Sequence, residues 1–248
     1  MTRTRRATVA MLLVGLAIFS SLYSTQAILP TLVDNMGLSS TEAAMTVSAA
    51  TGALALCVVP ASILSERFGR GRILLISAVA ATGVGLLVPL AQEGWQLIVV
   101  RGLQGALLSG APATAMAWLS EELDDKALPR AMGLYIAGTS VGGLTGRLIP
   151  TGLVEISTWR WALFGSALVS LAFAITSWLL LPTQRNFRPK SIHLKTESRA
   201  LLGHWANRDL ALLFLTAFLS MGTFVSMYNF LTFRLIDDFG LAPSLAGL

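Results

Sequence analysis

Residues 97–105 read Leu97-Ile98-Val99-Val100-Arg101-Gly102-Leu103-Gln104-Gly105. An arginine and a glutamine stand inside an apolar run that extends from about 96 to 118. A helix crossing a hydrocarbon core of about 30 Å needs about 20 mostly apolar residues, and this run is long enough. A charge inside such a span costs several kcal/mol unless it faces protein, water or a partner. Positions 101, 104 and 105 share one helical face, so Arg101 is expected to face the interior of a bundle. The bland alternative is an arginine near the end of a span, with its head drawn out to the lipid headgroups.

The same pattern recurs along the chain. Apolar runs of spanning length lie at 8–29, 43–64, 73–92, 96–118, 130–152, 161–181 and 209–233, and an eighth begins near Pro243 before the last residue, Leu248. Arg3, Arg5 and Arg6 ahead of the first run, with Thr25-Gln26-Ala27 near its end, have the outline of a cleaved signal peptide. The apolar run continues past Pro30 to Val33, however, so a retained span is expected. Of the 248 residues 54% are hydrophobic and 12% charged, against about 25% charged in a soluble domain. Mean hydropathy is +0.69. Lipid is the natural solvent for such a chain.

Net charge is +5, but the basic residues come in bursts between apolar runs rather than on one face, which argues against nucleic-acid binding. Arg3, Arg5 and Arg6, then Arg67, Arg70 and Arg72, then Lys126 and Arg130, then Arg185, Arg188, Lys190, Lys195, Arg199 and Arg208 occupy alternate loops, against Arg160 and Arg234 in the others. Fourteen against two is a strong positive-inside bias and predicts a cytoplasmic amino terminus. Trp95, Trp118, Trp159, Trp161, Trp178 and Trp205 fall near span ends, where indoles favour the headgroup layer. The basic segment 182–208 reads as a linker between two bundles. Cys57, alone in an apolar run, reads as a small buried hydrophobe, and His193 and His204 lack partners at metal-ligand spacing.

Between the second and third spans the chain reads Ser62-Ile63-Leu64-Ser65-Glu66-Arg67-Phe68-Gly69-Arg70-Gly71-Arg72. Gly69 permits a tight turn, and Glu66 can pair with an arginine or lie against the positive end of a neighbouring helix. The stretch resembles the loop signature of the major facilitator superfamily, G-x-x-x-D-R-x-G-R-[RK]. Arg67, Gly69 and Arg70 match, while Ser62 stands for the usual Gly, Glu66 for Asp, and Gly71 for a basic residue, with Arg72 next. The resemblance implies contacts that hold an inward gate shut; otherwise the loop is positive-inside charge alone. Arg101, Gln104 and Gly105 match the superfamily's R-x-x-Q-G, which implies a role for Arg101 in proton coupling.

In the fifth run Gly138, Gly142 and Gly146 form two overlapping G-x-x-x-G units, a stripe on which another helix can pack closely. The stretch resembles in part the antiporter signature G-x-x-x-G-P-x-x-G-G, with Gly143 for the Pro and Arg147 for the last Gly. Arg147 reads as facing the transport pathway, or else as an outer-end arginine near Glu155. The segments 22–30, 159–161, 185–187 and 227–231 look like those of a bacterial subgroup related to arabinose-type efflux permeases. Tyr23, Gln26, Tyr228 and Asn229 are candidates to line a substrate cavity; polar residues in helices also often only bond their neighbours. No phosphate loop and no paired intramembrane carboxylates are present, so no enzyme chemistry is expected. Asp34 is the nearest candidate for a proton-carrying acid, serving with Arg101, unless that acid lies outside this sequence.

The resemblance implies an all-α integral membrane fold with residues 1–181 as a first six-helix bundle, 182–208 as a cytoplasmic linker, and 209–248 as the start of a second bundle. In that fold substrate binds at the midplane between two bundles. The sequence is expected to be a C-terminally truncated carrier. The function implied is a proton-coupled exporter of small organic solutes in the bacterial cytoplasmic membrane. Its partners would be the lipid bilayer, the solute and the missing second bundle. No cofactor is expected, the proton gradient being the energy source. The alternatives are an uptake carrier of the same superfamily, or a non-transporting half-bundle acting as a sensor or assembly partner.

Overall fold

The computed structural model describes residues 1–189, 203 and 205–241, apart from the side chains of 229, 232 and 237. Helices are the only regular elements among the described residues. In chain order they are α1 (Arg3–Tyr23), α2 (Leu29–Met36), α3 (Ser40–Phe68), α4 (Arg70–Gly85), α5 (Gly94–Leu108), α6 (Gly110–Glu122), α7 (Leu128–Val154), α8 (Trp159–Leu180) and α9 (Arg208–Asp237), with short 3-10 turns at Gln26–Ile28 and Val88–Leu90. The seven expected spans all appear as helical rods. Five stretches are long and apolar enough to cross a membrane: Arg3–Met36, Ser40–Phe68, Arg70–Leu90, Trp159–Leu180 and Arg208–Ile236. The expected eighth span, His193 and His204 lie outside the described residues.

Two rods depart from the uniform spans read from hydropathy. The first, expected as one helix over 8–29, is broken: α1 ends at Tyr23, a 3-10 turn follows, and α2 starts at Leu29. Pro30 supplies the reason. In a continuous helix it would remove the bond to the carbonyl of residue 26 and crowd it; in the first turn of α2 no such donor is needed. The fourth rod is divided at Ser109, where Pro112 likewise withholds a donor from Leu108. Ser109 keeps helical angles (φ −57°, ψ −32°), so α5 runs on into α6.

α1 lies at the centre of the bundle and is buried from Ala7 to Tyr23 along most of its length. Its contact with α7 is built on glycine. A Cβ at Gly142 would lie 2.8 Å from the Gly15 carbonyl oxygen, and one at Gly15 would lie 2.8 Å from the Tyr135 carbonyl oxygen. The stripe Gly138, Gly142 and Gly146 thus packs backbone against backbone, as small-residue stripes do in lipid.

The core has two parts. One, around Met11, Val14, Ile18, Leu74, Leu108 and Trp118, fills the half nearer the amino terminus. The other, around Ile28, Leu32, Val47, Leu97 and Leu163, fills the opposite end. α9 meets the bundle mainly at α2 and the 26–28 turn, where Phe233 packs against the second core. Trp118 and Trp159 correct the headgroup expectation: they are 0% and 5% exposed and belong to the interior. Trp95, Trp161, Trp178 and Trp205 are exposed.

Candidate functional site

The buried face of α5 runs Leu97, Arg101, Gln104, Leu108, one residue per turn. Leu97 belongs to one core and Leu108 to the other, so the polar pair sits where the two meet. Arg101 is 0% exposed, which excludes the headgroup alternative. Its Nη1 donates to the Ser21 carbonyl at 2.9 Å and to Gln104 Oε1 at 2.6 Å, Nη2 donates to the Leu22 carbonyl, and Nε donates to the Thr46 carbonyl at 3.3 Å. Gln104 Nε2 in turn donates to Ser21 Oγ at 2.7 Å and to the Ala81 carbonyl at 3.3 Å.

Ser21 and Leu22 lie in the last turn of α1, where a helix end leaves carbonyls without intrahelical donors and concentrates partial negative charge. The broken first rod and the intramembrane arginine therefore explain each other. Among the described residues every hydrogen bond of Arg101 goes to a neutral oxygen. Asp34, the acid expected to serve with it, is exposed on α2 and makes no ion pair among the described residues. The structure does not bring the two together. Gly105 completes the motif sterically: a Cβ there would fall 2.6 Å from the Ala50 carbonyl carbon of α3.

A second arginine stands beside this network. Arg147 on α7 donates from Nε and Nη2 to Gln26 Oε1, at 3.0 and 2.9 Å. Its guanidinium carbon lies 4.6 Å from the ring centre of Tyr23 and 4.1 Å from that of Tyr228 on α9. Four candidates chosen separately from the sequence thus form one cluster, and Arg147 does not reach out towards Glu155. A Cβ at Gly143 would come 3.5 Å from the Tyr23 ring, so the smallest side chain lies beside that ring. The Asn229 side chain lies outside the described residues.

The amino-terminal end of the bundle is tied separately. Gly69 is the whole connection between α3 and α4, at φ +102°, a conformation that side chains with a Cβ rarely adopt. Arg70 joins Glu121 at 2.6 Å and Glu66 at 3.5 Å. Arg67 and Arg72 are exposed, and the Ser62 carbonyl accepts from Ser65 Oγ. Sequence reasoning missed the acid pair at the end of α6. Glu122 takes Arg3 and the main-chain N–H groups of Arg185 and Asn186; Glu121 takes Arg70 and Gln184. The doublet Glu121-Glu122, in a loop on the same side as the basic bursts, was the available signal. Residues 183–186, at the start of the expected linker 182–208, are fastened to the bundle by these bonds and by Arg3 on the Thr183 carbonyl.

Membrane-length helices packed through glycine about a buried, carbonyl-bound arginine define a polytopic α-helical membrane protein. Residues 11–248 match the model of the Major Facilitator Superfamily, and the chain belongs to that superfamily. It is 37% identical over 244 residues to the inner membrane transport protein YnfM of Escherichia coli (strain K12), covering 98% of this chain and 58% of YnfM. It is 33% identical over 232 residues to YybF of Bacillus subtilis (strain 168), an uncharacterized MFS-type transporter, covering 94% of this chain and 57% of that one. A solved structure of a bacterial homologue of the human lysosomal transporter Spinster, inward-facing and unoccupied, shares the fold. Its TM-score is 0.78 at 16% identity, over 100% of this chain and 58% of that one. The chain therefore spans under three fifths of the length of these relatives. Fold and relatives are those of transport proteins, not enzymes.

Proposed function

We propose that these residues are the first bundle, and the opening helix of the second, of a secondary active transporter that moves small organic solutes by alternating access. Coupling is to protons and the direction is export, in the inner membrane of a bacterium, with the amino terminus in the cytoplasm. The name of the Escherichia coli relative, an inner membrane transport protein, supports the location, and the loop-charge asymmetry supports the orientation.

The observation that carries the reading is Arg101. A fully buried cation, bound among the described residues only to neutral oxygens at the end of a broken central helix, is costly in a purely structural bundle and useful in a carrier. No acid pairs with Arg101 among the described residues, so the proton carrier of this reading is an acid outside them, whose protonation changes the field at Arg101 and with it the grip of α5 on the end of α1. The fit of α1 against α7 and α5 is the natural place for that change to become movement.

The test is flux in proteoliposomes containing the full-length protein, with and without an imposed pH gradient. Proton-driven movement out of the cytoplasmic side is expected, and Arg101→Ala should abolish it while the protein still inserts. Undiminished proton-linked flux in Arg101→Ala would overturn the coupling role. Gradient-driven movement in the opposite direction would make the protein an uptake carrier.

A further inference from the structure

The two intramembrane arginines are satisfied in different ways. Arg101 is closed off: all three of its nitrogens are engaged by oxygens from α1, α3 and its own helix. Arg147 is not. Both of its hydrogen bonds go to a single neutral oxygen, Gln26 Oε1, and Nη1 has no hydrogen-bond partner among the described residues. No carboxylate is paired with it among the described ion pairs. The faces of Tyr23 and Tyr228 also lie against it, and they attract a cation without taking up its N–H groups. An arginine fork takes a carboxylate through two parallel bonds, and Nε with Nη2 is one such edge. The Gln26 oxygen occupies that edge as a single acceptor, where a carboxylate would bring two oxygens and a full negative charge.

We propose, resting on the transporter reading above, that the substrate is a small organic carboxylate. Its carboxylate pairs with the fork of Arg147 in place of Gln26 Oε1, and its carbon body lies against the rings of Tyr23 and Tyr228. The two tyrosines come from opposite parts of the chain, α1 and α9, so the anion would be gripped across the line where the second bundle begins. A neutral or cationic solute would leave Arg147 with the same unmet charge that it has without one. The site therefore selects on charge first and on shape second.

The experiment uses the full-length protein in detergent and three carboxylates, benzoate, succinate and lactate, each against its amide counterpart. Thermal unfolding and equilibrium binding are read for the native protein, Arg147→Gln and Arg147→Lys. At least one carboxylate is expected to raise the unfolding midpoint where its amide does not. Its affinity should fall by about tenfold or more in Arg147→Gln, and by less in Arg147→Lys, which keeps the charge but not the fork. If Arg147→Gln does not fold, the contrast between native protein and Arg147→Lys decides. The inference is overturned if no carboxylate stabilises the protein more than its amide, or if the stabilisation is undiminished in the variants. Flux measurements separate the two readings. Carboxylate binding without flux of any solute leaves this site standing and removes the transporter, whereas flux of other solutes without carboxylate binding removes this site alone.

Discussion

The guanidinium of Arg101 donates to the main-chain carbonyl of Ser21 at 2.9 Å, so a side chain of α5 replaces a donor that the break in α1 takes away. A buried acceptor left without a donor costs about 1–3 kcal/mol. Arg101→Met is similar in length and cannot donate; it strips the Leu22 carbonyl and leaves the Ser21 carbonyl with the Ser24 hydroxyl alone. Its unfolding midpoint in detergent should fall well below that of the native protein. Gln104→Leu, which loses the bonds to Ser21 Oγ and the Ala81 carbonyl, should fall less. Equal midpoints for native protein and Arg101→Met would show that the arginine does not hold the break together.

Gly142 and Gly133 lie on the same helix and give a matched pair. A side chain at Gly142 meets the backbone of Gly15 and Leu16 on α1, whereas one at Gly133 meets nothing within 4 Å. Gly142→Leu should force α1 from α7 and cost more than the roughly 1–3 kcal/mol typical of overpacking, because backbone cannot rotate away as a side chain can. Gly133→Leu should be tolerated. The fraction of protein recovered as a single species by size exclusion distinguishes them.

The one-residue turn at Gly69 is held at φ +102°. Gly69→Ala places a Cβ in that conformation at a cost of order 1–3 kcal/mol, with Gln184 and Phe187 close by. A lowered unfolding midpoint is expected, together with greater protease access to the segment 182–187. An unchanged cleavage pattern would separate the turn from the seating of that segment.

Arg70 and Glu121 should prove coupled. Their 2.6 Å contact is partly exposed, so a double-mutant cycle with Arg70→Ala and Glu121→Ala is expected to return a coupling of roughly 0.5–1 kcal/mol. Additive single effects would mean that the pair acts separately.

Much of this was legible because the bilayer leaves a chain few options. Runs of spanning length, alternating loop charge and the R-x-x-Q-G face at Arg101 identify the rods and which way one of them looks. The cluster of Tyr23, Gln26, Arg147 and Tyr228 was legible only as separate polar residues in apolar runs; bringing them together needs the packing of α1, α7 and α9. The break in α1 was hidden because Leu22, Ile28 and Leu29 are as apolar as the helix they interrupt, and hydropathy does not register a lost backbone bond. Pro30 was the only mark of it. Trp118 misled because closeness to a span end along the chain does not fix which face a ring points to. Its indole Nε1 is buried with no hydrogen-bond partner among the described residues, and a Cβ at Gly71 would lie 2.9 Å from it. Asp34 misled in the opposite sense: one acid near an outer end need not reach an arginine held by carbonyls. Glu121 and Glu122 were overlooked because the loops were weighed by their positive charge.

The bonds that Glu122 accepts from the main-chain N–H groups of Arg185 and Asn186 fix where mechanical load enters the first bundle. A pull along the chain from α9 does not act on the tip of α8, where the helix ends at Leu180. It is delivered to the end of α6, on a residue that also holds Arg3 and stands next to the partner of Arg70. The tether is anchored several residues beyond its apparent root, and its lever arm runs to the helix that continues from the one bearing Arg101.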